Sequence, residues 1–230
     1  MSPPALVVLA HGTGDATGRG TWGRLLLRLR AARPDVEVRL AYAGVARPRL
    51  ADVLAEIEGP VVVVPAFLAA GFHVRVDVPG QLAESGRDDV TLAEPFGPDP
   101  ALVEVAVQRL REAGWAGGRV VLAASGSTDP VAQEDLRTAA GRFSDRLGTT
   151  VPVGYIAGEP RVADVVAAQD GPVGLLTWLL APGAFHRWLA ETGAAVVAEP
   201  LGDHDGVVAV VVDRYVRCAL VSTNPPYSAD

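Results

Sequence analysis

PVVVVPAFLAAGFHVRVDVPG, residues 60–80, is the stretch that decides the fold. Its four consecutive valines, Val61 to Val64, read as a strand buried on both faces, the pattern of a parallel sheet covered by helices. Pro65 ends the ladder because proline has no N–H to donate. A turn of small residues around Gly71 then delivers Phe72, His73, Arg75 and Asp77 just past the strand's carboxyl end, the edge at which open α/β sheets bind ligands.

Working outward, residues 6–10 read as a short buried strand and 11–20, HGTGDATGRG, as its loop. A helix is predicted over 21–33, with Leu25, Leu26 and Leu29 inward, and an alternating strand over 36–43. Pro48 opens a helix to about 58, proline being tolerated in a first turn. Past the central stretch come a helix near 78–85, a strand over 90–93 and a helix over 101–113. This βα alternation predicts a mostly parallel sheet flanked by helices.

The pattern then recurs. LAHGTGD (9–15) aligns with AASGSTD (123–129) at a shift of 114, and PRLADVL (48–54) with PRVADVV (160–166) at 112. VVPAFLAAGF (63–72) aligns with LLTWLLAPGA (175–184), again at 112; AEPFG (93–97) aligns with AEPLG (198–202), and Arg109 with Arg214, both at 105. Blocks in conserved order with a slowly falling shift predict a tandem duplication with small deletions in the second copy. The expected architecture is α/β, with two lobes of one four-stranded sheet each and a cleft between them: 1–116, 117–220, and a disordered tail over 221–230. The β-branched run 207–220 looks like a strand by composition, but its counterpart 101–113 is helical, so a helix is predicted there too.

Composition narrows the classes. Apolar residues make up 49% of the 230 residues, ample for packed cores, and the single cysteine, Cys218, excludes disulfides and thiolate metal clusters. The net charge of −7 speaks against a nucleic-acid surface. No apolar run approaches the length of a membrane span, and the N-terminal apolar run lacks the basic flank of a signal peptide. A cytoplasmic protein with no nucleic-acid or membrane partner is expected. All 20 basic residues are arginines, which suits carboxylate or phosphate recognition but also follows from GC-rich coding.

His11 ends the first strand as His73 follows the third. A lone loop histidine is more often a structural hydrogen-bonder, but two of four histidines in comparable loops favour a facing pair. Neutral imidazoles bind borderline metals and accept protons near neutral pH. His186 and His204 lack such pairing and are read as structural. GTGDATG does not match a dinucleotide loop, nor SGSTD a nucleophile elbow. Arg75 pairs with Asp77 on the surface, or it joins Arg19, Arg24, Arg47 and Arg49 in lining the cleft mouth for an anionic ligand.

His11-Gly12-Thr13, with Val64-Pro65-Ala66-Phe67-Leu68, Gly71-Phe72-His73 and Asp77-Val78-Pro79, resembles the class II tetrapyrrole chelatases, and within them the sirohydrochlorin ferrochelatase/cobaltochelatase family. The long members of that family are likewise tandem repeats with one active half. The resemblance implies a lyase that inserts Fe²⁺ or Co²⁺, sometimes Ni²⁺, into sirohydrochlorin, for sirohaem or cobalamin-type synthesis. The metal is then a substrate and no organic cofactor is required. It implies His11 and His73 as metal ligands and proton acceptors, with Arg75, Arg47, Phe72 and Ser125 around the macrocycle. It also implies a monomer with pseudo-twofold lobes. Two departures stand out. Gly14 replaces an arginine common in the family, and Gly44 stands where members often carry a glutamate, with Glu159 in the second copy as a candidate substitute. Ser125 for His11 and Phe185 opposite His73 mark the second half as degenerate. A carrier derived from a chelatase, without turnover, is the alternative reading.

Overall fold

The computed structural model describes residues 3–222 apart from Thr13 and Val45, and the backbone only of His73, Val221 and Ser222. The first repeat runs β1 (Ala5–Ala10), α1 (Ala16–Ala32), β2 (Val38–Tyr42), α2 (Leu50–Ala55), β3 (Val61–Pro65), a π-helical turn (His73–Asp77), α3 (Val78–Glu84), β4 (Val90–Leu92) and α4 (Pro100–Glu112). The second runs β5 (Arg119–Ala124), α5 (Pro130–Leu147), β6 (Val153–Tyr155), α6 (Val162–Ala167), β7 (Val173–Trp178), α7 (Ala184–Leu189), β8 (Val196–Val197) and α8 (Asp205–Ser222). Each repeat forms a four-stranded parallel sheet, ordered β2-β1-β3-β4 and β6-β5-β7-β8. The two-lobe α/β architecture expected from the sequence is the one observed. Of the expected tail, residues 223–230 lie outside the described residues, while 221 and 222 close α8.

The valine run behaves as its composition demands. Val61 and Val63 pack with α2 and α3 residues on the outer face, while Val62 and Val64 join a core shared by both lobes. All four are at most 1% exposed, each contributing about 1.5–3 kcal/mol relative to exposure.

Local boundaries differ from expectation where side chains override composition. Helix α1 begins five residues early, at Ala16 rather than Thr21, because the Asp15 carboxylate accepts the Thr17 amide at 2.9 Å and caps it. The predicted helix over 48–58 is shorter, Leu50–Ala55. Helical structure after β3 starts before residue 78, in the π-helical turn from His73. The seven-residue fall in repeat shift, from 112 to 105, lies in this same segment: His73 to Glu84 in the first lobe is matched only by Ala184–Leu189 in the second.

The terminal helices are exchanged. Helix α4, from the first half, packs on β7, whereas α8, from the second, packs on β3, β4 and α4. Their buried faces, Leu102, Val105, Ala106 and Leu110 against Val207, Val210, Val211 and Tyr215, join the shared core. The β-branched face of α8 is chosen by this packing, which outweighs its weak helix propensity. Arg214 binds Asp99, the N-cap of α4, at 2.8 Å with both side chains under a fifth exposed. Arg214→Ala strands that carboxylate. It should cost about 2–4 kcal/mol, a fall in Tm of roughly 4–16 °C in a thermal melt.

Candidate functional site

In the first sheet the chain leaves β1 for β2 on one side and returns to β3 on the other, so β1 and β3 flank the topological switch point. Their register pairs Leu9 with Pro65, and the Ala66 amide donates to the Leu9 carbonyl at 2.8 Å. His11 and the segment from Gly71 to Asp77 therefore leave neighbouring strands at the same carboxyl edge. His11 is exposed, with its ring edge-on to Phe67 at 6.2 Å between centroids. His73 opens the π-helical turn; such turns recur at functional sites, and its side chain lies outside the described residues.

The second repeat reproduces this backbone with a serine at the position of His11. The Ser125 carbonyl accepts the Ala157 amide at 2.9 Å, as the His11 carbonyl accepts Gly44 at 3.1 Å. Gly12 and Gly126 share φ of 98°, a left-handed conformation that glycine adopts without strain. Ser125 is exposed like His11 but offers only a hydroxyl.

Gly44 is closed on His11. A Cβ there would sit 2.7 Å from the His11 carbonyl oxygen and 3.9 Å from its Cε1. In this backbone a glutamate at 44 would displace the His11 segment rather than sit beside it. Glu159 is exposed and held by the Arg161 amide and guanidinium at 3.2 and 3.3 Å. Among the described residues no cluster of three acidic, histidine or cysteine side chains could hold a metal.

The arginines divide. Arg75 donates from Nη2 to Asp129 at 2.5 Å, across the lobes, and from Nε to the Ala70 carbonyl at 3.1 Å. Its carboxylate partner is thus Asp129, from the other lobe. Arg24 reaches Asp203 across the lobes at 3.2 Å. Arg47 pairs with Asp52 at 2.8 Å but keeps 71% of its side chain exposed. Arg19 donates to the Gly14 carbonyl at 2.6 Å and approaches Tyr42, whose phenol burial pushes up in pKa. The Arg49 backbone amide binds Asp52 at 3.1 Å.

The repeat's relative of Arg75 is Arg187, which pairs across the lobes with Asp15, the relative of Asp129. The Arg187 guanidinium holds the Asp15 carboxyl below the usual carboxylate range, helped by the Thr17 amide; Arg75 and the Val131 amide do the same for Asp129. With depressed folded-state values, both pairs stabilise the fold fully above about pH 4 and lose that contribution as pH falls through the folded-state values. At neutral pH both are intact.

Sequence reading placed Phe72 at this edge but missed the other exposed apolar side chains there. Phe72 is 56% exposed, Val76 49%, Val131 39% and Trp188 52%. Trp188 is the repeat relative of Val76, so the duplication itself carried the signal. A hollow of about 270 Å³ under Trp115, lined by Val107, Leu110 and Leu147, lies near the amino ends of the second sheet's strands, away from this edge.

Two parallel-sheet lobes, with histidine-bearing segments after the strands at the first lobe's switch point, make a chelatase-like fold. Residues 5–113 match the CbiX family profile. A sirohydrochlorin cobaltochelatase of Methanosarcina acetivorans is 27% identical over 123 residues, 47% of this chain and 95% of that protein. One from Sulfurisphaera tokodaii is 38% identical over 52 residues, 23% of this chain and 43% of that relative. Among solved structures, SirB from Bacillus subtilis with Fe³⁺ matches with a TM-score of 0.80 at 19% identity, over 96% of this chain and 97% of that one. A CbiX described as the terminal enzyme for siroheme biosynthesis in denitrifying bacteria matches at 0.69 and 24%, over 93% and 98%. The first half of the chain is thus similar to the CbiX family of class II chelatases, over a span that includes both histidine-bearing segments.

Proposed function

We propose that this protein inserts Fe²⁺ or Co²⁺, with Ni²⁺ as a third candidate, into sirohydrochlorin. Residues 1–116 carry the chemistry and 117–220 form the opposing wall. The observation that carries the reading is the register of β1 beside β3, which brings the His11 and His73 segments to one edge, within the span that matches the CbiX family. Metallation must remove the pyrrole N–H protons as the metal is delivered. Neutral imidazoles at positions 11 and 73 supply lone pairs for the metal and accept those protons.

The exposed Phe72, Val76, Val131 and Trp188 offer apolar surface to a flat macrocycle, and Arg47, largely exposed, offers charge to its carboxylates. Trp188→Ala should raise the KM for sirohydrochlorin by about 3- to 10-fold, the loss of one aromatic contact, with kcat little changed. Steady-state rates against tetrapyrrole concentration check this.

The test of the whole reading is the absorbance change of sirohydrochlorin with Fe²⁺ or Co²⁺. The purified protein should accelerate it, and a rate equal to the uncatalysed one rejects chelation. A second reading, a tetrapyrrole or metal carrier without turnover, is favoured by Gly44, where the backbone leaves no room for an added carboxylate. Tight binding without acceleration would select it.

A further inference from the structure

We infer that the degenerate second lobe sets the spacing of the two histidine-bearing segments, through the cross-lobe pairs Arg75–Asp129 and Asp15–Arg187. This rests on the reading of His11 and His73 as the metal pair. Each segment contributes one partner. Asp15 closes the loop that starts at His11, and Arg75 lies two residues past His73. The partners in the second lobe are Arg187 on α7 and Asp129 at the start of α5.

Asp129 is well placed for this task. Its Oδ1 caps α5 by accepting the Val131 amide at 2.9 Å, which leaves Oδ2 to receive Arg75. A carboxylate fixed by a helix N-terminus is a rigid anchor, and a guanidinium with two separate acceptors is a rigid arm. Because Nε of Arg75 also grips the Ala70 carbonyl, the arm holds both ends of the turn that contains His73. Gly71, inside that turn, would bring a Cβ within 3.5 Å of Ala132 and 3.8 Å of Ser127 Oγ, so the turn is seated directly on the second lobe.

A further hook is present on one side of the pseudo-twofold and not the other. The Ala70 amide donates to Asp135 of α5 at 2.7 Å. At the repeat-related positions stand Pro182, which has no N–H, and Thr21, which has no carboxylate. The hook therefore exists only for the segment that bears a histidine. A duplication that kept the ion pairs twice but this hook once has fixed the active turn more firmly than its degenerate copy. Metal ligands must be held to within about half an ångström to bind well. In this arrangement Asp129, Asp135 and Arg187 are positioning residues, acting through the segments they hold.

Asp129→Asn keeps the helix cap, asparagine being as good an N-cap as aspartate, and removes the charge that holds Arg75. In the full chain this variant and Arg187→Gln should bind Co²⁺ at least 10-fold more weakly by calorimetry at neutral pH, with Tm within a few degrees of the parent. Amide hydrogen exchange should quicken at residues 70–77 in Asp129→Asn. The exchanged pair Arg75→Asp with Asp129→Arg should recover part of the affinity. Unchanged Co²⁺ affinity and unchanged exchange at 70–77 in Asp129→Asn would overturn the inference, as would a fall in Tm with affinity intact. If the parent and His11→Ala bind Co²⁺ alike, the histidine reading falls, while faster exchange at 70–77 still upholds the latch.

Discussion

His11→Ala and His73→Ala are each expected to slow sirohydrochlorin metallation by about 100- to 10,000-fold, the range spanned by a positioned acid–base group. Loss of a metal ligand adds to that through weaker metal capture. Because the two imidazoles would act on one metal and one macrocycle, their effects should not add. The double variant should be only slightly slower than the worse single one, as for residues that work as a unit. The fold should not suffer, at least at position 11, where the residue is exposed and its ring meets that of Phe67 edge-on. Far-ultraviolet circular dichroism and Tm should match the parent, so that the loss is one of chemistry. A His73→Ala protein as fast as the parent would remove His73 from the chemistry, break the proposed pair and leave His11 as its only proton acceptor.

The histidines were legible in the sequence because each follows a strand whose composition is unmistakable. The valine run announces β3, and Leu6–Ala10 announces β1. Their shared edge was legible too, since βα alternation predicts a parallel sheet whose strands all end at one edge. The engagement of Arg75 was not. Sequence offers Asp77 two residues away, but the turn that opens at His73 carries Arg75 to Asp129, 54 residues distant. The clue was present in another form: Arg75, Asp129, Asp15 and Arg187 are related in pairs by the repeat shifts, and residues that match across a duplication on both sides of an interface are candidates to touch. The exchange of α4 and α8 was hidden for a different reason. A repeat read as two halves suggests two cores, whereas the inner faces of both sheets and both terminal helices close on a single one. Which lobe a helix covers depends on the path of the connection after it, which periodicity does not record. The early start of α1 was obscured by Gly18 and Gly20, whose low helix propensity is outweighed by the Asp15 cap and the inward packing of Trp22, Leu25 and Leu29.

Gly97→Ala should be among the most damaging single-methyl additions at the described glycines. A Cβ at 97 would sit 2.0 Å from the Leu68 carbonyl oxygen, 2.5 Å from its carbon and 2.8 Å from its Cα. All three are backbone atoms, so no rotamer relieves the overlap. The neighbourhood is also pinned. The Gly97 amide donates to the Phe67 carbonyl at 3.1 Å, and Phe96 is fully buried. Something must shift, and the element free to do so is the 66–70 turn that leads from β3 to His73. A cost above about 4 kcal/mol is expected, or a fall in Tm of roughly 8–16 °C for a chain of this size. The loss of metallation in the surviving folded protein should exceed what its stability explains, because the turn that carries His73 has moved. The same substitution elsewhere calibrates the argument. Gly202, the repeat relative of Gly97, also donates to the turn after its third strand, at 2.9 Å to Leu180, but its added Cβ would meet nothing closer than Arg109 Nη2 at 3.4 Å. With φ of 65°, it should lose only the left-handed penalty of about 1–2 kcal/mol. Gly80, inside α3 with nothing within 4 Å, should gain about 0.5–1 kcal/mol from alanine. A Gly97→Ala protein that melts within 2 °C of the parent would mean that the turn after β3 takes another path, and with it the segment on which the whole site depends.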